Sequence, residues 1–189
     1  MEGALTAFVT STVLVAAAEI GDKTQLLSFA LAARYRKPWT IVAAIFVATL
    51  ANHALAGSVG VLFAQWLAPR TTALIVGISF LAFGVWALVP DTLDEAPKPH
   101  GSVFLTTLIA FFIAEMGDKT QLATIGLGAR FASVYAVVLG TTFGMMLANV
   151  PAVLIGHRLA EKLPLHLMRG IAAALFILTG GLTLVLAPG

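Results

Sequence analysis

Residues Trp39–Leu67 run for 29 positions without a single Asp, Glu, Lys or Arg. About 20 apolar residues are enough for a helix to cross the hydrocarbon core of a bilayer. Five more apolar runs follow the same logic: Leu5–Ala33, Thr71–Val89, Val103–Ala129, Val134–Leu159 and Leu165–Leu186. A backbone in lipid must satisfy its own polar groups, and a helix does so within one segment. The expected fold class is therefore an all-α membrane protein with six transmembrane helices. Composition agrees: only 11% of the chain is charged, against roughly 25% in soluble domains. The first run carries Glu19 and has no basic start, so it reads as a retained helix and not as a cleaved signal.

The breaks between runs are "RYRKP", "APR", "PDTLDEAPKPHGS", "RFAS" and "AEKLP", all short, polar or marked by proline. The longest divides the chain into residues 1–90, a central cytoplasmic loop at 91–102, and residues 103–189. Two stretches link the halves. "AEIGDKTQL" begins at Ala18 and "AEMGDKTQL" at Ala114, and aligning Ala18–Arg34 with Ala114–Arg130 gives 11 identities in 17 positions. "AN" also recurs, at Ala51-Asn52 and Ala148-Asn149. Each half reads as a three-helix repeat with the motif on its first helix. Three is odd, so the second half must enter the bilayer from the other face, as in the inverted repeats of secondary transporters.

Basic residues orient the chain. Arg34, Arg36, Lys37, Lys98, Arg158, Lys162 and Arg169 fall on one side, and Arg70 and Arg130 on the other. Seven against two puts the first set in the cytoplasm and both termini outside it. The expected location is a cell inner (plasma) membrane, crossed several times. Trp39, Trp66 and Trp86 lie near helix ends, where aromatic rings anchor at the interface. Net charge is only +2, which gives no nucleic-acid surface, and the absence of cysteine excludes disulfides, thiolate metal sites and cysteine nucleophiles.

The repeated motif puts Glu19, Asp22, Glu115 and Asp118 inside apolar runs. Carboxylates there are costly facing lipid, so they must face the protein interior or a water-filled path. On a regular helix Glu19, Asp22 and Lys23 share a side, Gln25 lies at a wider angle, and Thr24 and Ser28 point away. Leu26 would then sit in the middle of the acidic face. Gly21 and Gly117 leave open a second geometry, a helix broken near the midplane. Four carboxylates with the oxygens of Thr24, Thr120, Gln25 and Gln121 make a hard site suited to Ca²⁺, Mn²⁺ or Mg²⁺. Asn52 and Asn149 can add carbonyl ligands or bond a neighbouring helix. Crowded carboxylates out of water compete for protons when no cation is present. Four acids and two lysines (Lys23, Lys119) sum to −2, which one M²⁺ or two H⁺ would neutralise. His53 has Val150 as its repeat counterpart and reads as a packing or interface residue. Gly140, Gly144, Gly180 and Gly181 read as helix-packing positions.

The motifs Glu19-Ile20-Gly21-Asp22-Lys23-Thr24 and Glu115-Met116-Gly117-Asp118-Lys119-Thr120 resemble the paired E-x-G-D-[KR]-[TS] signature of the Gdt family of cation/proton exchangers. The resemblance spans essentially the whole chain, with a motif in each half and an acidic central loop. It implies a secondary transporter that exchanges Mn²⁺ or Ca²⁺ for protons, with Glu19, Asp22, Glu115 and Asp118 as the key acids. The small size and short loops look like a prokaryotic member, which favours manganese export. No enzymatic activity and no cofactor is expected, the cation being the transported substrate. The implied partners are the cation, protons and the lipid bilayer, with a homodimer allowed. An exporter of small organic solutes on a similar scaffold and an uncoupled cation channel are the alternatives. An intramembrane aspartyl protease would leave the duplicated glutamates and lysines without a role.

Overall fold

The computed structural model describes residues 2–90, 98–155 and 164–188. Among them are eight helices and no strand: α1 Glu2–Glu19, α2 Lys23–Tyr35, α3 Pro38–Trp66, α4 Pro69–Trp86, α5 Val103–Glu115, α6 Lys119–Phe131, α7 Val134–Ile155 and α8 Leu165–Val185. Most of the central loop, Arg158, Lys162 and the end of the run Val134–Leu159 lie outside the described residues.

Four helices, α3, α4, α7 and α8, are long and apolar enough to cross a membrane unaided. The first expected span is not one helix. It is α1 and α2, bent by 67° at a short break, and together they also pass as a crossing. The expected span Val103–Ala129 is likewise divided into α5 and α6. Each has 13 residues, or about 20 Å, too short to cross alone. The distribution of side chains is that of a protein in lipid. Phe46, Leu55, Val59, Leu62 and Phe63 lie exposed along α3, and Leu178 and Leu182 along α8, while Glu19, Asp22, Glu115 and Asp118 are buried. Trp39 and Trp66 are exposed at the two ends of α3, where interfacial anchors belong.

The halves are locally alike well past the motif. Residues 96 apart share conformation at three places: the break glycines Gly21 and Gly117, both with positive φ; the N-caps Asp22 and Asp118, both extended; and the left-handed C-caps Arg36 and Ala132. Arg34 over Tyr35 recurs as Arg130 over Phe131. The packing exchanges the halves as well. α1 lies on α7 and α5 on α3; α2 lies on α7 and α6 on α3; α4 pairs with α8. One feature is not shared. α4 also leans on α6 and α8 on α1, with no comparable packing of α4 on α5 or α8 on α2 among the described residues.

Small residues make these approaches close. A Cβ on Gly140 would meet the Phe8 carbonyl at 2.5 Å, one on Gly144 the Thr12 carbonyl at 2.6 Å, and one on Gly180 the Gly77 carbonyl at 2.7 Å. In lipid, such backbone contact is a main source of helix association. Gly181 has nothing within 4 Å, so it is not a packing glycine here.

Candidate cation site

The site is built at the two helix breaks. α1 ends at Glu19 and α2 begins after Asp22; α5 ends at Glu115 and α6 begins after Asp118. The turns close in the same way: Asp22 N–H donates to the Glu19 carbonyl at 3.1 Å, and Asp118 N–H to the Glu115 carbonyl at 3.2 Å. A glutamine side chain braces each one. Gly21 N–H donates to Gln25 Oε1 at 2.9 Å and Gly117 N–H to Gln121 Oε1 at 2.7 Å. Gly21 and Gly117 have φ of 85° and 76°, a region that costs a residue with a Cβ about 1–2 kcal/mol. The regular-helix geometry therefore does not hold, and with it goes the expectation that set Leu26 in the middle of an acidic face.

Breaking the helices changes what meets what. Glu19, Asp22 and Asp118 each offer a carboxylate oxygen, and these lie within 4.8 Å of one another. All three are buried. The lysines lie inside the site and pair crosswise. Lys23 Nζ is 3.0 Å from Asp118 Oδ1, and Lys119 Nζ is 2.7 Å from Asp22 Oδ2. Each motif thus supplies the counter-charge of the other. Lys119 is buried, whereas the Lys23 side chain keeps 28% of its exposure.

Glu19 is held by two hydroxyls. Thr24 Oγ1 donates to its Oε2 and Thr120 Oγ1 to its Oε1, each at 2.5 Å. On a regular helix Thr24 would point away from Glu19, and only the turn at Gly21 brings its hydroxyl back. Glu115 is the repeat equivalent of Glu19 but is held differently. It is fully buried, and neither carboxylate oxygen has a hydrogen-bond donor among the described residues. It stands beside the three-acid group and not within it, with His53 Nε2 3.9 Å from its Oε2. His53 was expected to be a packing residue; it faces the site. The available signal was that the other repeat has no histidine to match it, in a charge-free run.

The remaining candidates scaffold the breaks. Gln25 Nε2 donates to the Ala148 carbonyl on α7 at 3.1 Å, and Gln121 Nε2 donates to Asn52 Oδ1 on α3 at 2.9 Å. Asn149 Oδ1 accepts from Ser28 Oγ at 2.7 Å. Asn52 and Asn149 thus tie the long helix of one half to the motif helix of the other. Their carbonyl oxygens, and those of both glutamines, are already engaged within the protein.

Helices that expose apolar side chains and bury paired acids, lysines and amides define a multi-pass membrane protein with an oxygen-rich, partly charge-compensated centre. Comparison with known proteins gives that class its family. Residues 7–95 and 103–188 match the family described as "Divalent cation/proton antiporter GDT1". The chain belongs to the GDT1 family, which is a family of transporters and not of enzymes. It is 55% identical over 171 residues to the "Putative manganese exporter" of Vibrio cholerae, an alignment covering 89% of this chain and 85% of that protein. It is 28% identical over 197 residues to the GDT1-like protein sll0615 of Synechocystis, covering 92% and 94% of the two chains. With GDT1-like protein 5 of Arabidopsis thaliana the identity is 26% over 220 residues, covering 95% and 96%. No solved structure matches.

Proposed function

We propose that this protein exchanges a divalent cation, Mn²⁺ or Ca²⁺, for protons at the buried centre, and that its physiological direction is manganese export. One observation carries the reading: acids from both halves converge at one place, with oxygens of Glu19, Asp22 and Asp118 spaced for a single ion. The family and the Vibrio cholerae relative's name support the ion class and the direction. Glu115 contributes the fourth charge beside them. Thr24 and Thr120 orient Glu19; Gln25, Gln121, Asn52 and Asn149 hold the broken helices in register. The crosswise lysines reduce four negative charges to a net of −2. A net charge in a dry interior is costly, so one M²⁺ or two H⁺ accompany the site through each change of access.

The same reading takes α1–α2 and α5–α6 as broken crossings, so that the chain has six spans in two inverted repeats with both termini outside the cytoplasm. The exchange of helix pairings between halves supports it. The chain has no cysteine, so single cysteines introduced at Arg36 and Arg70 should label from opposite membrane faces. Labelling from one face would contradict this topology.

Proteoliposome transport tests the function. Glu19→Gln and Asp118→Asn should each reduce Mn²⁺-dependent proton movement at least a hundredfold while the protein stays inserted and folded. Full transport by either variant would remove that residue from the site.

A further inference from the structure

Glu115 and Glu19 occupy equivalent places in the two halves, yet their surroundings differ in kind. Glu19 accepts from two threonine hydroxyls. Glu115 accepts from none, and the polar group it faces is an imidazole. His53 is fully buried, and neither Nδ1 nor Nε2 has a hydrogen-bond partner among the described residues. Nothing in the repeat requires a histidine there: Asn149 stands 96 positions on, at the spacing that relates the two breaks, and Val150 is the counterpart if Asn52 is matched to Asn149. Buried polar groups left unpaired are uncommon, and each calls for a reason such as an ion the site is built to hold.

The spacing suggests what that ion is. A separation of 3.9 Å between Nε2 and Oε2 is too long for a hydrogen bond. It fits two ligands of one metal, with bonds of about 2.1–2.3 Å. The donor pair is mixed: a carboxylate oxygen and a neutral nitrogen. Ca²⁺ and Mg²⁺ draw their ligands from oxygen; Mn²⁺ shares that preference but, as the first ion of the Irving–Williams series, also takes an imidazole nitrogen.

We infer that Glu115 and His53 form a second cation subsite beside the three-acid group, and that the His53 nitrogen selects Mn²⁺ and similar transition dications over Ca²⁺ and Mg²⁺. The inference rests on the exchange reading above and adds a specificity residue to it. The incoming ion reaches nitrogen at this subsite and oxygen alone at Glu19, Asp22 and Asp118. An ion that gains nothing from nitrogen has no advantage there over Mn²⁺.

Pulsed EPR of Mn²⁺ bound to the full chain in nanodiscs tests this directly. The unmodified protein should give an imidazole ¹⁴N coupling on Mn²⁺, which shifts to ¹⁵N when histidine is isotopically labelled. The coupling should vanish in His53→Gln and persist in His100→Gln. In transport, His53→Gln should lower the preference for Mn²⁺ over Ca²⁺ by about tenfold, mainly through the KM for Mn²⁺. Bound Mn²⁺ with oxygen-only coupling in the unmodified protein would overturn the subsite and leave the exchange reading standing. Failure of Mn²⁺ to bind at all would overturn both.

Discussion

The two lysines do the same job from unequal positions. Lys119 is buried against Asp22, and Lys23 meets Asp118 from a partly open position. Removing one partner of a buried ion pair strands the other charge and costs about 3–5 kcal/mol, while more exposed pairs are worth far less. Lys119→Gln should therefore lower the thermal midpoint in detergent by several degrees more than Lys23→Gln. Equal shifts would mean that the two pairs are equally buried in the working protein. Either substitution also takes the centre from −2 to −3, so the charge moved per cycle should change in both. Much of the residue scale was readable from the chain. The duplicated Glu, Asp and Lys in apolar runs marked the centre, because ionisable groups do not persist in lipid without partners. Which lysine meets which aspartate was not readable, since it depends on how two distant helices approach. His53 was missed for a related reason. One histidine in a helix is an ordinary packing residue until the structure sets a bare carboxylate beside it.

The element that matters most is the broken helix. Apolar length alone suggested continuous spans, and composition cannot distinguish a straight helix from one bent by 67°. Glycine in the motif, and a Leu26 that a regular helix would set in the middle of the acidic face, were the local hints, and they left both geometries open. The break is what brings Thr24 onto Glu19 and lets Gln25 and Gln121 brace the turn amides. Gly117 tests this cleanly, because a Cβ there meets nothing within 4 Å and the whole cost lies in its φ of 76°. Gly117→Ala should slow transport at least tenfold at normal membrane abundance. Gly181→Ala, at an open helical position, should leave the rate unchanged. A Gly117→Ala variant of normal rate would mean that the turn need not hold its left-handed geometry. Gly21 is a less clean test, since a Cβ there would also press on the Leu165 side chain at 3.0 Å.

Across the whole molecule the motif helices and their long partners pack alike in both halves, while the α4–α8 pair does not. It leans on α1 and α6, the segments before the first break and after the second, and leaves α2 and α5 without comparable contact among the described residues. In the six-span reading α1 and α6 share one membrane half, so the pair covers the centre from that side. Met116 and Gly117, at the second break, remain exposed. A transporter that alternates access needs this kind of asymmetry, which the repeat allows to be reversed. None of it could be read from the chain, because sequence similarity between the halves fades after the motif and carries no record of which contacts form. The central claim is that one buried centre carries a dication in one direction and protons in the other. It is tested most directly by recording Mn²⁺ and H⁺ fluxes together in sealed proteoliposomes with an imposed pH gradient. The account predicts Mn²⁺ movement against its own gradient, driven by about two H⁺ moving oppositely for each ion, as a centre of net −2 requires. Downhill Mn²⁺ flux that ignores the pH gradient would contradict it.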